Sequence, residues 1–384
     1  HQLNGLRVVL QSIVDPTERP DRLPRSLIAM RPWGQTAPGL LAGAAARHPG
    51  RVAFHDDDGE ITYRELWRQA QAIAASLQAD GVGSGTGVGV LTRNHRGFVA
   101  AAVAVTATGA DLVLLNTGFA GPQIADVVEH EGVDIVIHDD EFAGLVERCG
   151  ARLIGESELA EMSISGSIDA EEVSGRVVIL TSGTTGRPKG AGRRSNASNV
   201  GAVAALLERI PLRAGDTTMI AAPLFHAWGF SHLLLGLSRA ATMVVSRRFD
   251  PERTLALTAE HDARVLVVVP IMLGRILNLP AETLDAHPTP KLRVIAASGS
   301  AISGKLVTAV LERFGPVLYN LYGSTEVGQA TIADPVDLRD APGTAGRVIP
   351  GSTVEIVDER GDPVEAGVKG RIMVGNAAQF SEYT

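Results

Sequence analysis

The chain has 384 residues, one cysteine, 45% hydrophobic residues and a formal charge of -8 from 35 basic and 43 acidic side chains. That composition is globular and too long for one simple core, so two or three folding units are expected. A lone Cys149 excludes an internal disulfide framework and any cysteine-based metal cluster, and mild acidity argues against a nucleic-acid binder.

In chain order, residues 1–37 read as an N-terminal extension with scattered apolar positions and a basic, proline-containing run over 19–31. One reading is an amphipathic helix in peripheral contact with a membrane; the other is a helix packed on the protein's own surface. The run 51–54, the turn Asp56-Asp57-Asp58-Gly59 and the run 60–62 predict a hairpin. Thr62 and Glu65 form a capping-box pattern, so a helix should run from Tyr63 to about Ala79. The apolar tract over 97–115 is broken by Thr106, Thr108, Gly109 and Asp111, which predicts a buried helix over 98–108 and a strand over 112–115, not a membrane span. The glycine cluster over 81–89 fails the dinucleotide-binding spacing and precedes a strand instead of following one.

Strand and helix patterns then alternate from residue 123 to residue 314. The expected fold class is therefore α/β, with two doubly wound, largely parallel sheets flanked by helices over residues 38–334. After about residue 333 the chain is rich in proline and glycine and carries short alternating strands over 353–357 and 371–374, with a turn at Gly361-Asp362. Residues 335–384 are expected to form a small β-rich, barrel-like unit.

The chemistry concentrates in one loop. A hydrophobic strand over 177–180 runs into Thr181, Ser182, Gly183, Thr184, Thr185, Gly186, Arg187, Pro188, Lys189 and Gly190. Glycines let backbone N–H groups converge on one anion, hydroxyls add donors, and Lys189 and Arg187 add positive charge, a combination suited to a polyphosphate. The alternative is an ordinary surface turn. Walker A spacing fails, because Pro188 stands where the second glycine belongs and Gly190 follows Lys189, which disfavours an unrelated ATP-dependent phosphotransferase.

TSGTTGRPKG (181–190) resembles the phosphate loop of the adenylate-forming superfamily, which includes acyl-CoA synthetases, luciferases and nonribosomal adenylation domains. PLFHAWG (223–229), ASGSAIS (297–303), NLYGSTEVG (320–328), GTAGRVIPG (343–351) and GRIMVGN (370–376) are similar to further family segments in the family's order. RNHRGFVAA (93–101) and LLNTGFAGPQ (114–123) look most like bacterial fatty-acid–CoA ligases.

The resemblance implies an enzyme that forms acyl-AMP from a fatty acid and ATP and then transfers the acyl group to coenzyme A; the single cysteine fits a reducing cytoplasm, and any membrane association would be peripheral, through the N-terminal segment. It implies that Glu326 holds Mg²⁺, that Thr325 hydrogen-bonds the α-phosphate, and that Tyr322 stacks on adenine beside Gly323 and Ser324. Gly299, Ser300 and Ala301 would approach adenine and the acyl group through the backbone, and His226 would orient the carboxylate. Each has a plainer alternative: a surface carboxylate for Glu326, a turn hydroxyl for Thr325, core packing for Tyr322 and His226, and an ordinary strand–helix turn for 299–301. An acyl-AMP ligase that delivers to a carrier protein is a close second function, and a non-catalytic nucleotide- or acyl-binding domain is a third. The chain has only four lysines, Lys189, Lys291, Lys305 and Lys369, and outside the phosphate loop none lies in a motif of the family. The family's lid domain with its catalytic lysine is not found up to Thr384. The resemblance therefore implies an N-terminal domain with slow acyl-AMP formation and hardly any thioester synthesis.

Overall fold

The structure is a computed structural model, described over residues 9, 12–14, 18–168, 175–181, 189–194, 200–324 and 327–376, with the side chains of 181, 189–194 and 200 left aside. Its strands run β1 (Val52–Asp56), β2 (Gly59–Thr62), β3 (Gly87–Leu91), β4 (Asp111–Leu114), β5 (Ile135–His138), β6 (Arg152–Ile154), β7 (Arg176–Thr181) and β8 (Lys189–Arg194). They continue as β9 (Thr217–Ile220), β10 (Thr242–Val244), β11 (Val265–Val268), β12 (Val294–Ala297), β13 (Leu318–Ser324), β14 (Gly328–Ala333), β15 (Arg347–Val348), β16 (Ser352–Val357) and β17 (Arg371–Asn376).

Two large sheets result. One has the order β15-β14-β13-β12-β11-β9-β10-β1-β2, the other β6-β5-β3-β4-β7-β8. Their central strands are parallel, with antiparallel pairs at the edges. Parallel sheets need cover on both faces, and the sequence supplies it: VLVV in β11 and VIAA in β12 are buried at every position. Alternate residues feed different cores. Val265 and Val267 face a core that also contains Val88 and Val90 of the second sheet, while Leu266 and Val268 face another. The helices Ala37–Arg47, Tyr63–Ala79, Arg96–Ala107 and Ala227–Ser238 contribute to the shared core, so they lie between the sheets. The helices Gly304–Phe314 and Gly121–Glu131 cover the outer faces.

Local signals read from sequence hold where they are specific. Thr62 accepts a hydrogen bond from the Glu65 backbone, and the Glu65 carboxylate accepts one back from the Thr62 N–H at 2.8 Å, so the capping box starts the helix Tyr63–Ala79. Helix Arg96–Ala107 is buried throughout from Phe98, as a core helix should be. Among the described residues no helix is long and apolar enough to cross a membrane. Helix Arg22–Met30 packs on Ala37–Arg47 closely enough that a Cβ on Gly43 would meet Met30 Cγ at 2.6 Å. Buried Glu18 ties the preceding chain to the same place through Arg47 and His48. This favours packing on the protein's own surface for much of the extension, although Leu27 and Ile28 stay 60% and 72% exposed.

The structure departs from expectation at two places. After β7 the chain forms an antiparallel hairpin with β8, where the sequence pattern shows a loop and no second strand. KGAGRR has no apolar alternation and gives no strand signal, yet the edge of a sheet needs only backbone pairing. The barrel-like C-terminal unit is not seen among the described residues: β16 and β17 form a two-stranded ribbon, preceded by the helix Pro335–Asp340.

Candidate nucleotide and acid site

In an open parallel sheet, ligands bind outside the carboxyl ends of the strands, where consecutive connections depart in opposite directions. In the first sheet the chain goes from β9 to β10 on one side and then returns to β11 on the other. Its switch point is therefore the crevice between β9 and β11. In the second sheet the chain goes from β3 to β4 and then to β5 on the opposite flank, so that switch point lies between β3 and β5.

The segment after β9 carries Phe225 and His226. It is held from the β11 side, because the N–H groups of Ala221 and Ala222 both donate to Val267 O, at 3.0 and 3.1 Å. His226 precedes the helix Ala227–Ser238, and its ring lies 4.4 Å from that of Phe225. The residue is exposed, yet the protein crowded around its ring lowers its pKa by desolvation. The helix starts tightly: a Cβ on Gly229 would sit 2.2 Å from Pro223 O. Trp228 donates its indole N–H to Val268 O at 3.1 Å and packs edge-on against His232. His232 is fully buried and donates Nδ1–H to Trp228 O at 3.1 Å, while its Nε2 has no hydrogen-bond partner among the described residues. Burial lowers its pKa to about 4.

The other predicted residues lie on the same edge of the sheet. Gly299 follows β12 with φ +95°, which favours glycine, and a Cβ there would meet Val269 Cγ1 at 3.3 Å. Gly299 is thus beside the end of β11. Ser300 and Ala301 are exposed next to it, and Ser303 caps the following helix by accepting from Leu306 N–H. Ser298, which the sequence did not single out, donates its hydroxyl to Leu321 O at 2.9 Å and ties the end of β12 to β13. Tyr322 is 38% exposed, which disfavours the core-aromatic alternative. Gly323 is needed for the hairpin, because a Cβ would lie 2.0 Å from Gly328 O. Ser324 ends β13 and pairs with Gly328. Thr325 and Glu326 lie outside the described residues. The next residue, Val327, is held through its carbonyl by the Asn376 amide of β17.

Thr181 and Lys189 are paired across the β7–β8 hairpin, so residues 182–188 connect two adjacent strands. Ser182, Gly183, Thr184, Thr185 and Gly186 lie outside the described residues, and for Thr181 and Lys189 only the backbone pairing is described. Lys291 pairs with Asp262 at 2.7 Å, and both side chains are about half exposed.

The second sheet contributes residues that the sequence did not identify. Asn94 follows β3 and reaches across to the segment after β9: its amide donates to Ala222 O at 3.0 Å and its carbonyl accepts from Leu224 N–H at 2.8 Å. His95 accepts from Gly97 N–H at Nδ1, so Nε2 carries the proton and donates to Asp139 Oδ1 at 2.8 Å. Asp139, which follows β5, also accepts from the Arg93 N–H, and Arg247 lies between it and Glu156. His95, Asp139 and Glu156 are close enough to share a cation. The bound proton and the Arg247 guanidinium make them an ion-pair network instead. No single one of these residues stands out in the sequence, because each acts through a partner more than 40 positions away.

Two doubly wound sheets, sharing a core and bridged by Asn94, bring residues 222–229, 298–301 and 322–324 to the carboxyl ends of neighbouring strands. The chain belongs to the AMP-binding enzyme family, whose model matches residues 41–384. It is therefore a member of the adenylate-forming superfamily. It is 27% identical over 353 residues to a feruloyl-CoA synthase from Amycolatopsis sp, covering 88% of this chain and 70% of that protein. It is 26% identical over 359 residues to the fatty acid–[acyl-carrier-protein] ligase ScoC of Streptomyces coeruleorubidus, covering 88% and 68%. Its fold matches the N-terminal domain of FACL13 from Mycobacterium tuberculosis with a TM-score of 0.81 at 23% identity, over 90% of each chain.

Proposed function

We propose that this chain supplies the ATP- and acid-binding part of an enzyme that activates a carboxylic acid of apolar body, with a fatty acid as the first candidate, and passes it to coenzyme A. In the first half-reaction a carboxylate oxygen attacks the α-phosphorus of ATP and pyrophosphate leaves. In the second the thiol of coenzyme A attacks the acyl carbon and AMP leaves. The observation that carries this reading is the clustering of His226, Gly299 to Ala301 and Tyr322 to Ser324 along one strand edge, at and beside a topological switch point.

In this reading the 181–190 loop, with Thr181, Ser182, Gly183, Thr184, Thr185, Gly186 and Lys189, holds the phosphates, and Thr325 bonds the α-phosphate. Glu326 holds Mg²⁺, a hard ion suited to a carboxylate, which supplies charge neutralisation when bound. Tyr322 offers an exposed ring face to adenine. The lowered pKa of His226 keeps its ring neutral at neutral pH, so it meets the carboxylate as a hydrogen-bond donor and not as a counter-ion. Catalysis is then mainly positioning and electrostatic stabilisation.

The named relatives handle both aryl and fatty acids, and one delivers to a carrier protein. ATP–[³²P]pyrophosphate exchange across a panel of fatty and aryl acids tests the reading. Exchange should depend on the acid and be fastest with fatty acids; a preference for aryl acids would move the substrate class while keeping the chemistry. Replacing coenzyme A by a phosphopantetheinyl carrier protein tests the acceptor. Peripheral membrane contact through the N-terminal segment belongs to the same proposal, supported by exposed Leu27 and Ile28 near Arg31. Flotation with phosphatidylglycerol vesicles should weaken in Leu27→Ser/Ile28→Ser.

A further inference from the structure

We propose that Asn94 is a positioning residue for the acid subsite, acting from the second sheet on the segment that presents Phe225 and His226. This inference rests on the function proposed above. Asn94 is 6% exposed, and both ends of its amide are spent on one short stretch of backbone. The acceptor Ala222 O and the donor Leu224 N–H flank Pro223, which has no N–H of its own. The amide thereby replaces the backbone pairing that this stretch lacks, as a strand neighbour would.

The second side of the same segment is already fixed by Val267 O and, through Trp228, by Val268 O. The turn carrying His226 is therefore clamped between the two sheets. On the second sheet the clamp is itself braced. His95, next in the chain, is locked to Asp139, and Asp139 is locked to the Arg93 backbone on the other side of Asn94. Asn94 thus sits between two residues anchored to the same buried carboxylate. Two bonds to one buried carboxylate allow little movement of the amide, so the position of the His226 turn follows the relative position of the two sheets.

Removing the amide leaves Ala222 O and Leu224 N–H buried without their partner, and the turn is free to shift. A displacement of about 1 Å in a positioned group can cost about a hundredfold in the step it serves. The effect should fall on the acid and spare the nucleotide, because Gly299 to Ala301 and Tyr322 are carried by β12 and β13, whereas the amide of Asn94 bonds to Ala222 and Leu224.

The test measures binding of AMP, dodecanoyl-sulfamoyl-adenosine and cinnamoyl-sulfamoyl-adenosine by calorimetry. Asn94→Ala should weaken the better acyl analogue by about tenfold or more while leaving AMP within about twofold. Asn94→Asp gives an independent readout. When protonated, the carboxyl has the same shape as the amide, with a hydroxyl to donate to Ala222 O and a carbonyl to accept from Leu224. When ionised, it faces a carbonyl oxygen. Its acyl-analogue affinity should therefore be poor at alkaline pH and recover as the pH falls, with no such change in the parent protein. Val146→Ala, which thins the outer core of the second sheet, serves as the stability-matched control and should leave the ratio of the two affinities unchanged. Equal weakening of AMP and acyl analogue in Asn94→Ala, or no weakening of either, overturns the positioning role. Failure of the parent protein to bind any of the three ligands overturns both this inference and the function on which it rests.

Discussion

His232 makes the fold sensitive to acid in a way that can be measured. The ring is fully buried under Trp228, its Nδ1–H bonds the helix carbonyl four residues back, and Nε2 meets no partner among the described residues. Protonating Nε2 in place creates a buried charge with nothing to receive it, so burial depresses the pKa from 6.5 to about 4. The unfolded chain binds a proton near pH 6.5 that the folded chain refuses until about pH 4. Stability is thus fully present above pH 6.5 and declines as the pH falls through that window. Between about pH 7.5 and about pH 5, linkage gives a loss of roughly 2 kcal/mol from this one group. His232→Phe keeps a ring of similar size and cannot titrate. Urea denaturation of parent and variant at both pH values should show the parent losing roughly 2 kcal/mol more than the variant. Parallel losses in the two proteins would refute the assignment of a neutral, unpartnered Nε2.

The remaining expectations concern the strand edge. Gly229→Ala should destabilise by about 1–3 kcal/mol, because its Cβ would collide with Pro223 O, and acid affinity should fall with it; thermal melting and calorimetry check both. Ser298→Ala removes one buried hydroxyl bond between β12 and β13 and should cost about 1 kcal/mol in urea denaturation. Tyr322→Ala should weaken AMP binding with little change in melting temperature, since the ring is partly exposed and has little packing to lose.

Much of the fold was legible because its signals are local. Buried parallel strands such as VLVV and VIAA are short apolar runs, and the small residues 298–301 after VIAA mark where that strand ends. The helix after Thr62 was legible because a capping box is complete within four residues. Asn94 was not, since an isolated asparagine after a strand gains its meaning only from Ala222 and Leu224, 128 and 130 positions away. Ser298 carries a weak signal beside its glycine neighbour, a hydroxyl at a buried strand end, and its role depends on Leu321, 23 positions away. β8 escaped because edge pairing is made by backbone and leaves no side-chain pattern in KGAGRR.

The central claim, that a carboxylate attacks the α-phosphorus, is tested most directly by oxygen transfer. The protein is incubated with ATP, a carboxylic acid doubly labelled with ¹⁸O, and hydroxylamine to trap the activated acyl group. The account predicts an acyl hydroxamate together with AMP carrying one ¹⁸O, because the acyl C–O bond breaks and leaves the acid's oxygen on phosphorus. Unlabelled AMP, or ADP in its place, would contradict it.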